Sequence, residues 1–292
     1  MTQQCYHPPS ELILNDDGSV YHLGLRGDDV PDLIFTVGDP DRVVDVARHF
    51  EKVEWRKSRR EFNMVRGALK GGRPAMVLST GMGTDNIDIV MNELDAAVNV
   101  DLETRRDLPE GKRRRLTVIR IGTSAAVDPN LPLGSHLYST GALSFDGLLN
   151  FYEHPFRTVS IDGSPVQPFY VPAAENAVPD IPDLYSGITA TFPGFYGPQG
   201  RTIRARSTFT DTMNRLASVE VGDGGRHLRV ANFEMETAGI YALAHLLGHR
   251  AYSFSALQAN RSLMTFHREE CAGRAAVDGL IRKVLDWAGR GV

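Results

Sequence analysis

Apolar runs in this chain stop at glycine again and again: residues 32–37 (DLIFTV) at Gly38, 74–80 (PAMVLST) at Gly81 and 116–121 (LTVIRI) at Gly122. Runs this short and this rich in branched residues are too brief for helices and read as buried strands feeding glycine turns. After the second run, Ile87, Val90, Met91, Leu94, Ala97 and Val98 recur at spacings of three and four, the stripe of an amphipathic helix with Asp85 and Asn86 placed to cap it. Further strand-like runs follow at 188–192, 229–232 and 251–257. The chain then closes on a helical pattern through Val277, Leu280, Ile281, Val284 and Leu285. Strands alternating with helices predict a three-layer α/β domain.

The 292 residues, 42% of them hydrophobic, suffice for a substantial core. A net charge of −4 gives no general attraction to nucleic acid or anionic membrane, so any anion must be bound locally. Cys5 and Cys271 lie at opposite ends without metal-ligand spacing, which argues against a disulfide framework or a metal site and for a reducing, cytoplasmic setting. Neither a leader pattern nor a membrane-spanning apolar run is present in the sequence, so neither secretion nor membrane insertion is expected. Residues 101–115, with six basic and four acidic side chains, read as an exposed basic connection. Residues 145–180, rich in Pro, Gly and aromatics, suggest a lid or a subunit contact.

Several constellations carry chemistry. In Gly38-Asp39-Pro40-Asp41-Arg42, Pro40 suits the first helical position with Asp39 as cap, so a ligand approaching Gly38 would meet outward-pointing helix N–H groups. Arg42 would sit in the first turn, where a cation opposes the helix dipole unless an anion joins it; the alternative is a capped helix start with a surface arginine. Arg120, in a buried strand before a Gly122-Thr123-Ser124 turn, needs a partner, and strand ends in such sheets bind ligands. With the Thr123 hydroxyl, these groups describe a site for a phosphate-sized dianion. Gly81-Met82-Gly83 reads either as a phosphate turn or as close packing of helix on strand. Glu234-Met235-Glu236 opens a helix, where acids favour the dipole; alternatively, one carboxylate accepts from a ribose diol with Met235 against the sugar. Finally, Phe195-Tyr196-Gly197-Pro198-Gln199-Gly200-Arg201 holds an amide and a guanidinium two residues apart. The amide offers donor and acceptor side by side and the arginine offers only donors, matching the acceptor, N–H, acceptor edge of uracil. Adenine would meet Arg201 donor to donor, whereas guanine and hypoxanthine are not excluded.

The order of these pieces, with Tyr21-His22-Leu23-Gly24-Leu25, Arg60-Glu61-Phe62, Ser79-Thr80-Gly81-Met82-Gly83, Arg120-Ile121-Gly122-Thr123 and Asn260-Arg261, resembles the uridine phosphorylases of the nucleoside phosphorylase-I family from about Tyr21 to the C-terminal helix. The resemblance implies a single three-layer αβα domain with a central mixed β-sheet over residues 1–292, the first 20 being an N-terminal extension. It implies phosphorolysis of uridine to uracil and ribose 1-phosphate, with inorganic phosphate as co-substrate and neither cofactor nor metal. Gly38, Arg42, Arg120 and Thr123 would form the phosphate site, joined by Arg60 of a neighbouring subunit. Gln199 and Arg201 would read uracil beside Phe195, Met235 and Glu236 would contact ribose, and His22 of the neighbour would meet the 5′-hydroxyl. Arg261 would support the base-binding loop. Sites shared in this way require a homo-oligomer, with room for a monovalent cation near Glu61 at the contact.

Two departures from the family pattern stand out. Thr84-Asp85-Asn86 replaces the usual Gly-Pro-Ser, and an Asp85 facing phosphate would repel it; Ala125 replaces a glycine and would crowd the base. The purine enzymes of this family place an aspartate after the late strand, and 256–261 (ALQANR) contains no acid. Rival expectations are a purine phosphorylase or nucleosidase of the same fold and a non-catalytic nucleoside-binding protein.

Overall fold

A computed structural model describes residues 5–174 and 178–291. Its first eight strands are β1 (Leu33–Val37), β2 (Lys52–Arg59), β3 (Phe62–Ala68), β4 (Pro74–Ser79), β5 (Val100–Asp101), β6 (Arg106–Asp107), β7 (Thr117–Ala126) and β8 (His136–Ser144). Then come β9 (Arg157–Thr158), β10 (Phe169–Pro172), β11 (Leu184–Thr191), β12 (Glu220–Asp223), β13 (Arg226–Glu234), β14 (Arg250–Asn260) and β15 (Thr265–Phe266). The α-helices are α1 (Pro40–Ala47), α2 (Thr84–Asn99), α3 (Thr212–Ala217), α4 (Thr237–Leu246) and α5 (Glu270–Gly289).

The main sheet runs β12-β13-β11-β8-β14-β7-β1-β4-β3-β2. It is mixed: β4-β1-β7-β14 pair in parallel, whereas β8 meets β14 and β3 meets β4 antiparallel. The sheet also curls back on itself, because β13 pairs with β7 at Asn232↔Ala126 and Phe233↔Ala125. Strands β7, β14, β8, β11 and β13 therefore form a closed ring, and Ile188, Phe192, Phe209, Phe233 and their neighbours pack into one buried cluster against it. Helix α5 seats Leu280, Ile281 and Val284 with no exposed surface; burying each such side chain stabilises the fold by about 1.5–3 kcal/mol. Helix α4 is buried at every position from 237 to 244 and packs against α2 and the sheet.

Local rules explain some elements and fail at others. Asp39 caps α1 by accepting from Asp41 N–H at 2.9 Å, with Pro40 at the first position, as its motif predicts. The cap expected of Asp85 and Asn86 on α2 is not made. Gly83 precedes the helix at φ +98°, no side chain caps it, and Asp85 is exposed in the first turn. The strand expected to stop at Gly122 continues as β7 to Ala126, so Gly122-Thr123-Ser124 is strand and not turn. Glycine is needed there for space: a Cβ at Gly122 would lie 2.2 Å from a guanidinium nitrogen of Arg120, which folds over it.

Residues 101–115 are anchored as well as exposed. Arg114 bonds Asp32 at 2.6 Å and the Gly27 carbonyl at 3.0 Å, and Asp107 bonds His7 at 2.7 Å. Of 145–180, residues 169–172 form β10 on the edge of β8, while 175–177 fall outside the described residues.

Candidate active site

The parallel strands β1 and β7 and their neighbour β13 deliver their loops or side chains to one cavity of about 600 Å³. Gly38, Arg42, Arg120, Thr123, Phe195, Gln199, Arg201, Met235 and Glu236, all singled out in the sequence, line it together. Such crevices beyond strand carboxyl ends are where α/β sheets hold ligands.

At one end lies a buried charge cluster. Arg120 bonds Glu234 at 2.9 Å and Glu236 at 2.7 Å, all three nearly inaccessible to solvent. The carboxylates have further partners. Glu234 accepts from the Thr191 hydroxyl at 2.6 Å and from the N–H groups of Glu236 and Thr237 at 2.9 and 3.0 Å, so it secures the start of α4. Glu236 accepts from Gly83 N–H at 2.8 Å, which ties the Gly81-Met82-Gly83 turn to the cluster. Burial opposes the Arg120 charge, but the two carboxylates outweigh it and raise its pKa above the ordinary value. Burial raises that of Glu236, with Arg120 opposing and Glu234 adding to the rise. Arg42 is mostly buried as well, not the surface arginine of the alternative reading. Its pKa is lowered by burial, with Asp39 opposing and the nearby Arg120 adding to the depression.

The opposite end is built by the loop after β11. Residues Gly197–Gln199 make a short 3-10 turn that stops at Gly200, whose φ of +70° favours glycine. Gln199 is buried there, and its amide oxygen accepts from Arg201. Arg201 also donates to the Phe195 carbonyl at 2.5 Å and lies 3.8 Å over the Phe195 ring. An amide oxygen has two lone pairs, so one remains beside the free amide N–H and the outer guanidinium donors. Burial lowers the Arg201 pKa to about 10, Arg261 contributing in the same direction. At neutral pH the guanidinium stays charged, and the depression records how poorly its surroundings compensate it. Buried Nη1 of Arg261 has no hydrogen-bond partner among the described residues.

His22 and Arg60 do not line this cavity. They stand together elsewhere on the surface: Arg60, at φ +53° in the β2–β3 hairpin, lies 5.4 Å from the Tyr21 ring, which stacks edge-on to His22 at 4.9 Å. Asp85 is outside the cavity too, so it does not face a ligand there, whereas Ala125 is on its wall. Sequence reasoning missed Phe233, Gln258, Phe266 and His267 as lining residues. Phe233 lies just past the strand expected at 229–232, and the β11–β13 pairing, with Ala190 opposite Phe233, sets it beside the loop that follows β11, within 5.7 Å of Arg201.

Comparison with known proteins agrees with this architecture. The chain is 30% identical over 276 residues to the uridine phosphorylase of Thermococcus kodakarensis, covering 93% of this chain and 89% of that protein. To the uridine phosphorylase of Klebsiella aerogenes it is 29% identical, over 83% of this chain and 87% of the relative. A crystal structure of a Trypanosoma brucei nucleoside phosphorylase described as showing uridine phosphorylase activity superposes with a TM-score of 0.81 at 25% identity, covering 94% of this chain and 99% of the other. With residues 32–281 matching the profile of the phosphorylase superfamily, the chain belongs to that superfamily.

Proposed function

We propose that this protein catalyses the reversible phosphorolysis of uridine to uracil and ribose 1-phosphate. The observation that carries the reading is the placement of Gln199 and Arg201 in the same cavity as Arg42 and Arg120. Phosphate would bind beside Arg42, Arg120, Thr123 and the Gly38 backbone, with ribose between it and the base, against Met235 and Glu236. In the forward direction the C1′–N1 bond breaks and its electron pair leaves with uracil; a phosphate oxygen then forms the new bond to C1′. The uracil anion takes its proton from solvent. Arg201 and Gln199 bind that anion more strongly than neutral uridine, so they stabilise the transition state.

The carboxylates on the described cavity wall are Asp39, Glu234 and Glu236, paired with Arg42 or Arg120 and so on the side assigned to phosphate and ribose. Gln258, on the late strand, turns its amide to the Gly273 carbonyl at 3.2 Å. Among the described residues the late strand thus offers an amide and no carboxylic acid to protonate a purine, which favours uracil over a 6-oxopurine. The arginines favour phosphate over water as nucleophile.

Adjacency of Arg60, Tyr21 and His22 on one surface patch, outside their own cavity, supports a homo-oligomer in which that patch completes a neighbour's site. Glu61, next to Arg60, would reach the same contact and there offer a carboxylate to a monovalent cation. Cys5 and Cys271 are free and exposed, in keeping with a cytoplasmic enzyme.

Uridine, thymidine, inosine and cytidine assayed with and without phosphate test the reading. Phosphate-dependent uracil release with uridine above inosine is expected. Release without phosphate would exclude phosphorolysis, inosine preferred over uridine would exclude the base assignment, and uridine binding without turnover would leave a binding protein.

A further inference from the structure

His22 is held by a residue that no part of the cavity uses. Glu93, on α2, is the acceptor for the whole turn at His22. Its Oε1 accepts from the His22 backbone N–H at 2.9 Å and faces His22 Nδ1 at 2.6 Å. Its Oε2 accepts from the backbone N–H groups of His22 at 3.0 Å and Leu23 at 2.7 Å. One carboxylate thus fixes both the backbone and the imidazole of the same residue. The Tyr21 ring, edge-on at 78°, restrains the imidazole from another side, and about a third of the His22 side chain remains open to solvent.

A carboxylate accepts only, so the imidazole nitrogen facing it must carry the proton. With Nδ1–H committed to Glu93, the lone pair of the neutral ring lies on Nε2, and the second-sphere partner sets the tautomer. The same carboxylate secures the turn from which His22 projects, so tautomer and direction are set together.

We propose that Glu93 is a positioning residue for the shared site: it holds His22 in the Nδ1–H tautomer, so that Nε2 accepts the hydrogen bond of the nucleoside 5′-hydroxyl bound in the neighbouring subunit. The inference rests on the shared-site reading above and adds what makes His22 competent. Glutamine at position 93 has nearly the same size but cannot supply the same acceptors: its NH₂ end would face N–H donors, and the ring would be free to take either tautomer.

Uridine and 5′-deoxyuridine, compared in the wild type, His22→Ala and Glu93→Gln, separate the alternatives. In Glu93→Gln the ratio of kcat/KM for uridine to that for 5′-deoxyuridine should fall roughly 10-fold, as it should in His22→Ala, with 5′-deoxyuridine turnover little changed. The double variant should lose no more than either single one. If His22→Ala lowers the ratio but Glu93→Gln depresses both nucleosides equally, Glu93 is structural only and the proposal fails. If His22→Ala leaves the ratio unchanged, the 5′-hydroxyl reading of His22 itself is wrong. Nitrogen-15 NMR of the neutral His22 ring in the unmodified protein gives an independent answer should Glu93→Gln fold poorly. Protonated Nδ1 with bare Nε2 is expected; the reverse pattern overturns the proposal.

Discussion

Arg120 and Arg201 line one cavity in opposite electrostatic surroundings. Arg120 is flanked by two buried carboxylates that raise its pKa, whereas Arg201 has a carbonyl, an amide oxygen and an aromatic face for company, with Arg261 as a second cation nearby. The two ends are therefore prepared for different events. At the Arg120 end charge is already balanced, so a phosphate bound there as proposed would share the guanidinium with Glu234 and Glu236, and Arg42 would supply the less compensated cation. At the Arg201 end the positive charge has no counterion among the described residues. An anion that develops there during bond breaking gains what the free protein lacks, the condition for stabilising a transition state over a ground state.

The comparison breaks most visibly at Arg120. Arg120→Met would leave Glu234 and Glu236 buried without their shared cation, and removal of one member of a buried ion pair costs about 3–5 kcal/mol. Denaturant unfolding should show that loss, and an Arg120→Met/Glu236→Gln double variant should recover part of it. Unchanged stability would mean the cluster is not the balanced unit described.

Arg201→Ala should behave in the opposite sense, with stability near that of the wild type and turnover of uridine reduced about 10²–10³-fold, the loss typical of one transition-state donor. Phosphate affinity should be nearly unaffected. Steady-state kinetics with each substrate varied would show it, and equal losses for uridine and phosphate would make the loop a scaffold rather than a reader of the base.

A smaller effect separates the ends through pH. Burial raises the Glu236 pKa above the 4.5 of a free side chain, so between the two values the folded protein holds a proton the unfolded chain has released. The contribution of Glu236 to stability is thus fully present below the unfolded pKa and is lost as pH rises through the folded one. Glu236→Gln cannot titrate, so urea midpoints of the wild type should fall relative to this variant as pH rises across that window. Wild-type midpoints that gain on the variant instead would show that Arg120 dominates the carboxylate.

Much of the fold was legible because its cues are local. The runs at 32–37 and 74–80 become β1 and β4, and Asp39-Pro40 opens α1 as its types require. Gly122 was misread because a glycine that makes room for a side chain resembles, in sequence, one that makes a turn; only the position of the Arg120 guanidinium distinguishes them. The cap on α2 failed because the helix already begins at Thr84, which puts Asp85 and Asn86 inside its first turn and a glycine, without a side chain, at the cap position. In the site, residue types announced the base loop and the arginines. Neither the pairing of Glu236 with Arg120 nor the presence of Phe233 beside Arg201 left a periodic trace.

The sequence by itself determined the alternation of strands and helices, the glycine and proline punctuation and the inventory of cations, amides and aromatics, because these depend on backbone limits and on spacing within a few residues. Tertiary structure decided which arginine is compensated and which is left open. Arg120 meets Glu236 across 116 residues through strands that are neighbours only in the sheet, while Arg201 meets its own loop and the Phe233 ring and, among the described residues, no acid. Charge is a property of the residue, but its compensation belongs to the fold.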